Sequence, residues 1–174
     1  MPGDRVTSNR NGQRERIGEA LANQKARTVT VLSSLLAVED AIGYIPPEAI
    51  QQVAAFTRST INDVWGVASF YTNFRFTPPG QHVVEVCWGP TCHLLGAQTI
   101  LQAVVQALGL SGEGDTPNGR VSLKYNTCLG ACSQGPVFSI DHEVIGPQSL
   151  GGLKGEAMTQ RIADMVSQLQ NETP

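Results

Sequence analysis

From His82 to Cys92 the chain reads H-V-V-E-V-C-W-G-P-T-C, and from Val121 to Cys132 it reads V-S-L-K-Y-N-T-C-L-G-A-C. The run H-V-V-E-V is short and β-branched, and Val121, Leu123 and Tyr125 alternate with polar residues; both are strand patterns. Between them Ala97, Ile100, Leu101, Val104, Val105 and Leu108 recur at three and four residues, which predicts one buried face of a helix beginning near His93 or Leu94. The stretch G-E-G-D-T-P-N-G that follows is dense in turn residues. A strand–helix–strand crossover of this length implies parallel strands joined with right-handed chirality. Parallel strands finish at the same edge of a sheet. Cys87 closes the first strand and Cys128 follows the second, so both cysteine pairs are expected at one rim.

These four cysteines are the only ones in the chain, with four residues inside the first pair, three inside the second and 35 between the pairs. Bunched thiolates repel, and a soft metal centre supplies the missing positive charge. Cys92 is expected just ahead of a helix, where free N–H groups favour anions. Gly89 and Gly130 lie inside the pairs, with Gly96 and Gly135 beside them. Glycine lets backbone approach closely and aim N–H groups at sulfur, one control on reduction potential. Spacing alone leaves structural zinc and an iron–sulfur cluster both open. A disulfide framework is disfavoured because no secretory signal is evident. A thioredoxin-like dithiol would want two residues between its cysteines, and neither pair has that.

The runs C-W-G-P-T-C-H-L-L-G-A and C-L-G-A-C-S-Q-G-P-V resemble the thioredoxin-like [2Fe–2S] ferredoxins. More closely they resemble the 24-kDa-type (E) subunit of NADH dehydrogenase (complex I) and the matching subunits of NAD-linked hydrogenases and formate dehydrogenases. The likeness extends to A-I-G-Y-I-P-P-E-A-I, D-V-W-G-V-A-S-F-Y-T-N-F and P-P-G, and runs from about Val29 to the C-terminus. The resemblance implies that Cys87, Cys92, Cys128 and Cys132 bind a [2Fe–2S] cluster. It also implies that FMN and NAD belong to a partner subunit of the same complex. Pro90, Trp65 and Gly135 depart from the family, which more often has threonine, tyrosine and alanine there. Pro90 removes an N–H near the expected cluster, so the potential is expected to differ from the family's typical value.

Working toward the N-terminus, Val31, Leu35, Val38 and Ile42 form an apolar stripe widened by Leu32 and Leu36. Gly43 suits a left-handed C-cap. Pro46 and Pro47 restart the chain into a helix with Ile50, Val53 and Ala54 inward. Thr60 with Asp63 resembles a capping box opening another. The expectation is a small all-helical bundle over 29–77, ending at the breaker T-P-P-G, with its aromatics Phe70, Tyr71, Phe74 and Phe76 mostly in the core. Residues 1–28 are expected to be flexible or partner-dependent, with only Ile17, Ala20 and Leu21 as a thin stripe. Toward the C-terminus, two short strands, Val137 to Ile140 and Glu143 to Ile145, meet at Asp141-His142 as a hairpin. A glycine-rich loop then leads to an amphipathic helix through Met158, Ile162, Met165 and Leu169. The order βαβ-ββα over 81–174 is that of a thioredoxin-like fold with a mixed sheet. The fold class is therefore α/β, preceded by the helical bundle.

A net charge of −3 argues against a nucleic-acid binder. No apolar run reaches the length of a membrane span. Asp4 and Glu15 interrupt Arg5, Arg10, Arg14 and Arg16, which reads as a solvated tail rather than a presequence. A cytoplasmic location, membrane-associated only through a complex, is the expectation. His93 is expected to pack or hydrogen-bond rather than ligate, since four cysteines complete a cluster. His82 and His142 read as strand-end and turn residues. Trp88 suits either a water shield or a partner interface, and Pro136 occupies the place of a cis-proline by fold analogy. No G-x-G-x-x-G follows a strand and no phosphate-binding loop is present, so neither NAD nor flavin binding is expected in this chain. What remains is an electron-carrying subunit beside an FMN- and NADH-binding partner, with no independent active site. A structural zinc module is the competing class.

Overall fold

The computed structural model describes residues 3–25 and 27–171, with side chains from residue 12 onward. The chain divides into two compact units, Met1–Pro78 and Pro79–Pro174. The first contains helices α1 (Gly3–Ala22), α2 (Val31–Ile42), α3 (Pro47–Thr57) and α4 (Ile61–Phe70). Each boundary has a local cause. Thr30 Oγ1 accepts from the Ser33 N–H while Ser33 Oγ accepts from the Thr30 N–H, and Gly43 ends α2 at φ 88°. Pro47 opens α3, and Thr60 and Asp63 close a second reciprocal cap on α4. Leu35, Val38, Ala49, Ile50, Val53, Val64 and Ala68 face one core.

Two features of this unit differ from the sequence expectation. Ile17 and Leu21 of α1 are buried in that same core, so the thin stripe packs against its own chain. The tail expected around Asp4, Arg5 and Arg10 lies outside the described side chains. Of the aromatics expected in the core only Phe74 is buried, and Phe70 is 76% exposed. The reason is helical phase: Val64 and Ala68 point inward, and Phe70, two residues past Ala68, is turned about 200° from it.

The second unit contains β1 (His82–Cys87), α5 (Pro90–Leu94), α6 (Ala97–Leu108), β2 (Gly114–Asp115), β3 (Val121–Asn126), a 3₁₀ turn at Cys132–Gln134, β4 (Phe138–Ile140), β5 (Glu143–Ile145) and α7 (Gly155–Asn171). The mixed sheet runs β2-β3-β1-β4-β5. β1 and β3 are parallel, in register from His82↔Val121 to Cys87↔Asn126, and the other pairings are antiparallel. Val84, Val86, Leu123 and Phe138 pack under Ile100 and Val104 of α6 and Ile162 and Val166 of α7. Both helices therefore cover one face. The other face carries Glu85, Asn126 and Ser139, because alternate strand residues point to opposite sides.

The helix expected to begin near His93 is in fact two: α5 contains Cys92, and Gly96 at φ 98° breaks the path before α6. Strand β2 was not foreseeable in a loop so rich in turn residues; it pairs only through Gly114 and Asp115. Asp141 and His142 both have positive φ, the backbone twist of a tight hairpin. The Gly135–Pro136 bond is cis.

Candidate metal centre

Cys87 is the last residue of β1. Its N–H donates to the Val137 carbonyl and the next N–H, of Trp88, donates to Asn126. Both neighbouring strand ends thus hold it. Cys92 lies in α5, whose first residue, Pro90, has no N–H to leave unpaired. These two thiols are buried, at 2% and 1% exposure. Cys128 and Cys132 are exposed, the first on the loop after β3 and the second opening the 3₁₀ turn. Asn126 Oδ1 accepts the Cys128 N–H at 3.1 Å, a local Asx turn that N-T-C spacing could have signalled.

The sulfurs interact with one another. Burial raises the Cys87 thiol, but the N–H groups of Leu129 and Gly89, with Cys92 and Cys128, outweigh it and hold Cys87 below the ordinary thiol range. Burial also pushes Cys92 up; the Val137 N–H opposes this, but the neighbouring charges on Cys87 and Cys132 add to the rise. One thiolate in a confined group makes the next more costly. Cys87 thus neighbours Cys92 and Cys128, and Cys92 neighbours Cys132, at the rim where β1 and β3 end.

Backbone donors are aimed at this rim. N–H groups of Leu129 and Gly89 reach Cys87 and that of Val137 reaches Cys92, while the Gly130 N–H lies 3.3 Å from Cys128 Sγ. Gly130 can turn there because its φ is +74°. At Gly89 a Cβ would stand 3.0 Å from the Thr127 carbonyl and 3.6 Å from Cys87 Sγ. Bare backbone is what lets the two cysteine loops approach.

Among the described residues no group of three or more His, Cys, Asp or Glu side chains is placed to hold a metal ion. A tetrahedral zinc ion needs four donors about one point. Two bridged irons take the same four thiolates spread over two metals, with N–H bonds to sulfur tuning the charge. Four thiolates with backbone N–H groups at Cys87, Cys92 and Cys128 are a donor set that fits such a cluster. The expected roles of the remaining residues divide. His93 packs its ring against Trp88 at 4.7 Å, and Trp88 also stacks on Tyr125 at 6.3 Å while staying partly exposed. Leu94, 86% exposed, and the half-exposed Leu95 follow Cys92 directly after His93. His82 Nδ1 binds Asp141 at the far end of β1.

The sequence profile of the thioredoxin-like [2Fe–2S] ferredoxin family matches residues 17–161. The chain is 33% identical to NADH-quinone oxidoreductase subunit 2 of Thermus thermophilus over 68% of its own length and 66% of that protein's. It is 33% identical to the NADP-reducing hydrogenase subunit HndA of Solidesulfovibrio fructosivorans over 78% of each chain. An NADH-quinone oxidoreductase subunit of Aquifex aeolicus is 34% identical, over 65% of this chain and 71% of that one. A crystal structure of an NAD+-reducing [NiFe]-hydrogenase superposes on 83% of this chain, at a TM-score of 0.62 and 19% identity, and so shares its fold. The match takes up 23% of that hydrogenase chain, and this chain spans about two thirds of the Thermus subunit. No described helix is long and apolar enough to cross a membrane.

Proposed function

Because the chain belongs to the thioredoxin-like [2Fe–2S] ferredoxin family, we propose that Cys87, Cys92, Cys128 and Cys132 hold its [2Fe–2S] cluster and that the protein relays single electrons beside an FMN- and NADH-oxidising partner subunit. The complex would be of the NADH dehydrogenase type, or an equivalent NAD-linked hydrogenase, formate dehydrogenase or electron-bifurcating assembly. The supporting observation is the convergence of all four thiols at one sheet rim lined by backbone N–H groups.

When bound, the cluster exchanges one electron at a time, which suits a neighbour of a flavin that receives hydride electrons in pairs. The chain's own residues do the rest. Cys87 and Cys92 anchor from the interior, the N–H groups of Leu129, Gly89 and Val137 stabilise charge on their sulfurs, and the Trp88 ring shields the rim from water. Cys128 and Cys132 present the centre outward. Two domains serve this role: the sheet unit at 81–174 carries the electrons, and the bundle at 29–77, extended by the packed part of residues 1–28, helps dock. NAD and FMN are left to the partner, neither nucleic acid nor direct membrane insertion is involved, and the setting is cytoplasmic.

Absorption, iron and acid-labile sulfide analysis of anaerobically purified protein tests the cofactor. Two irons and two sulfides per chain are expected; a colourless protein holding zinc refutes the reading. Cys132→Ser should remove or alter the reduced-state EPR signal, and an unchanged signal excludes Cys132 as a ligand.

A further inference from the structure

Strand β1 places one carboxylate, Glu85, on the polar face of the sheet, and its side chain is only 12% exposed. The register sets it beside Ser139 of β4 and opposite Lys124 of β3. Glu85 Oε2 accepts from Ser139 Oγ at 3.2 Å and Oε1 accepts from Asn126 Nδ2 at 3.0 Å. His142 Nδ1 stands 4.0 Å from Oε2. With its nitrogen turned to Glu85, the Asn126 amide turns its oxygen to the Cys128 N–H. A carboxylate only accepts and a backbone N–H only donates, so a single orientation of that amide satisfies both neighbours. The reversed amide would set oxygen against carboxylate and N–H against N–H, a costly arrangement for a sheltered group.

We propose that Glu85 is a positioning residue for the metal centre: it orients Asn126, and Asn126 fixes where the Cys128 thiolate stands. The inference rests on Cys128 being a cluster ligand. Cys128 sits on an exposed loop, and the Asn126 bond ties that loop to the end of β3. Glu85 touches no sulfur and acts through the amide. Outer partners of this kind set ligand orientation and, through it, the properties of the metal.

The test reverses the polarity of the chain in the full-length protein. Asn126→Asp sets a second carboxylate against Glu85. The reduced-state EPR line shape should change, and the added negative charge should shift the reduction equilibrium about tenfold toward the oxidised form, or about 59 mV for one electron. Adding Glu85→Gln rebuilds the contact with roles exchanged. The new amide donates to one aspartate oxygen, the other still accepts from Cys128, and the net charge returns to its original value. The double variant should recover the wild-type line shape and equilibrium. A double variant no closer to wild type than Asn126→Asp alone overturns the proposal, as does an Asn126→Asp protein identical to wild type. If Asn126→Asp carries no cluster, recovery of iron content in the double variant is the deciding reading. Cys128→Ser, measured alongside, separates the two levels. An unchanged spectrum there removes Cys128 from the ligand set, whereas a changed one without rescue in the double variant defeats the positioning role alone.

Discussion

The two cysteine pairs are chemically alike and structurally unlike. Cys87 and Cys92 belong to a strand and a helix, and both are buried. Cys128 and Cys132 belong to a loop and a single 3₁₀ turn, and both are exposed. The inner pair is held by elements whose hydrogen bonds and core contacts exist for the fold's own sake. The outer pair depends on small local ties: the Asn126 bond and the Gly130 N–H at Cys128, and the Gly135 N–H that donates to the Cys132 carbonyl. One half of the proposed centre is thus set by the fold and the other by its loop, and the loop half is the one open to exchange with surroundings.

The largest test of that difference is ligand removal. Cys92→Ser should abolish cluster binding, because a hydroxyl in the buried position is a poor soft-metal ligand and has no water to help it. Cys132→Ser, at the exposed rim, should keep a measurable share. Iron per chain, determined anaerobically, decides it; equal loss in both would erase the contrast. An intermediate effect is expected from Gly89→Ala. Its Cβ would meet the Thr127 backbone carbonyl at 3.0 Å, so the loops must separate, at about 1–3 kcal/mol of stability in urea unfolding. The smallest is Gly135→Ala. There Leu95 Cδ1, at 3.1 Å, is the tip of a half-exposed side chain that can swing aside, while the Cys132 carbonyl at 3.3 Å and Cys92 Sγ at 3.4 Å need give by only a few tenths of an ångström, so under about 1.5 kcal/mol is expected from the same measurement. A larger loss from Gly135→Ala than from Gly89→Ala would show that the outer loop is the more rigid one.

How much of this could be read in advance follows from range. The cap at Thr60, the glycine stop at Gly43, the stripe through Ile100 and Val104 and the Asp141-His142 turn all depend on residues within four positions of one another. Each is found where local pattern put it. The convergence of the cysteines also needed only a crossover rule. The break of the expected helix at Gly96 is hard to read locally because Leu94 and Leu95 carry the apolar pattern up to it without a proline. Phe70 lies outside the core, and aromatic composition says nothing about the helical phase that puts it there.

By itself the sequence determined the strand–helix–strand unit, the rim where its two strands end, and the four soft donors brought to that rim. Which thiols are buried, which N–H groups face them, and that Glu85 orders Asn126 from 41 residues away were decided only by the tertiary structure. Strand register and loop closure join residues that no local pattern relates, and a shift of one position would turn Glu85 and Asn126 to the opposite face.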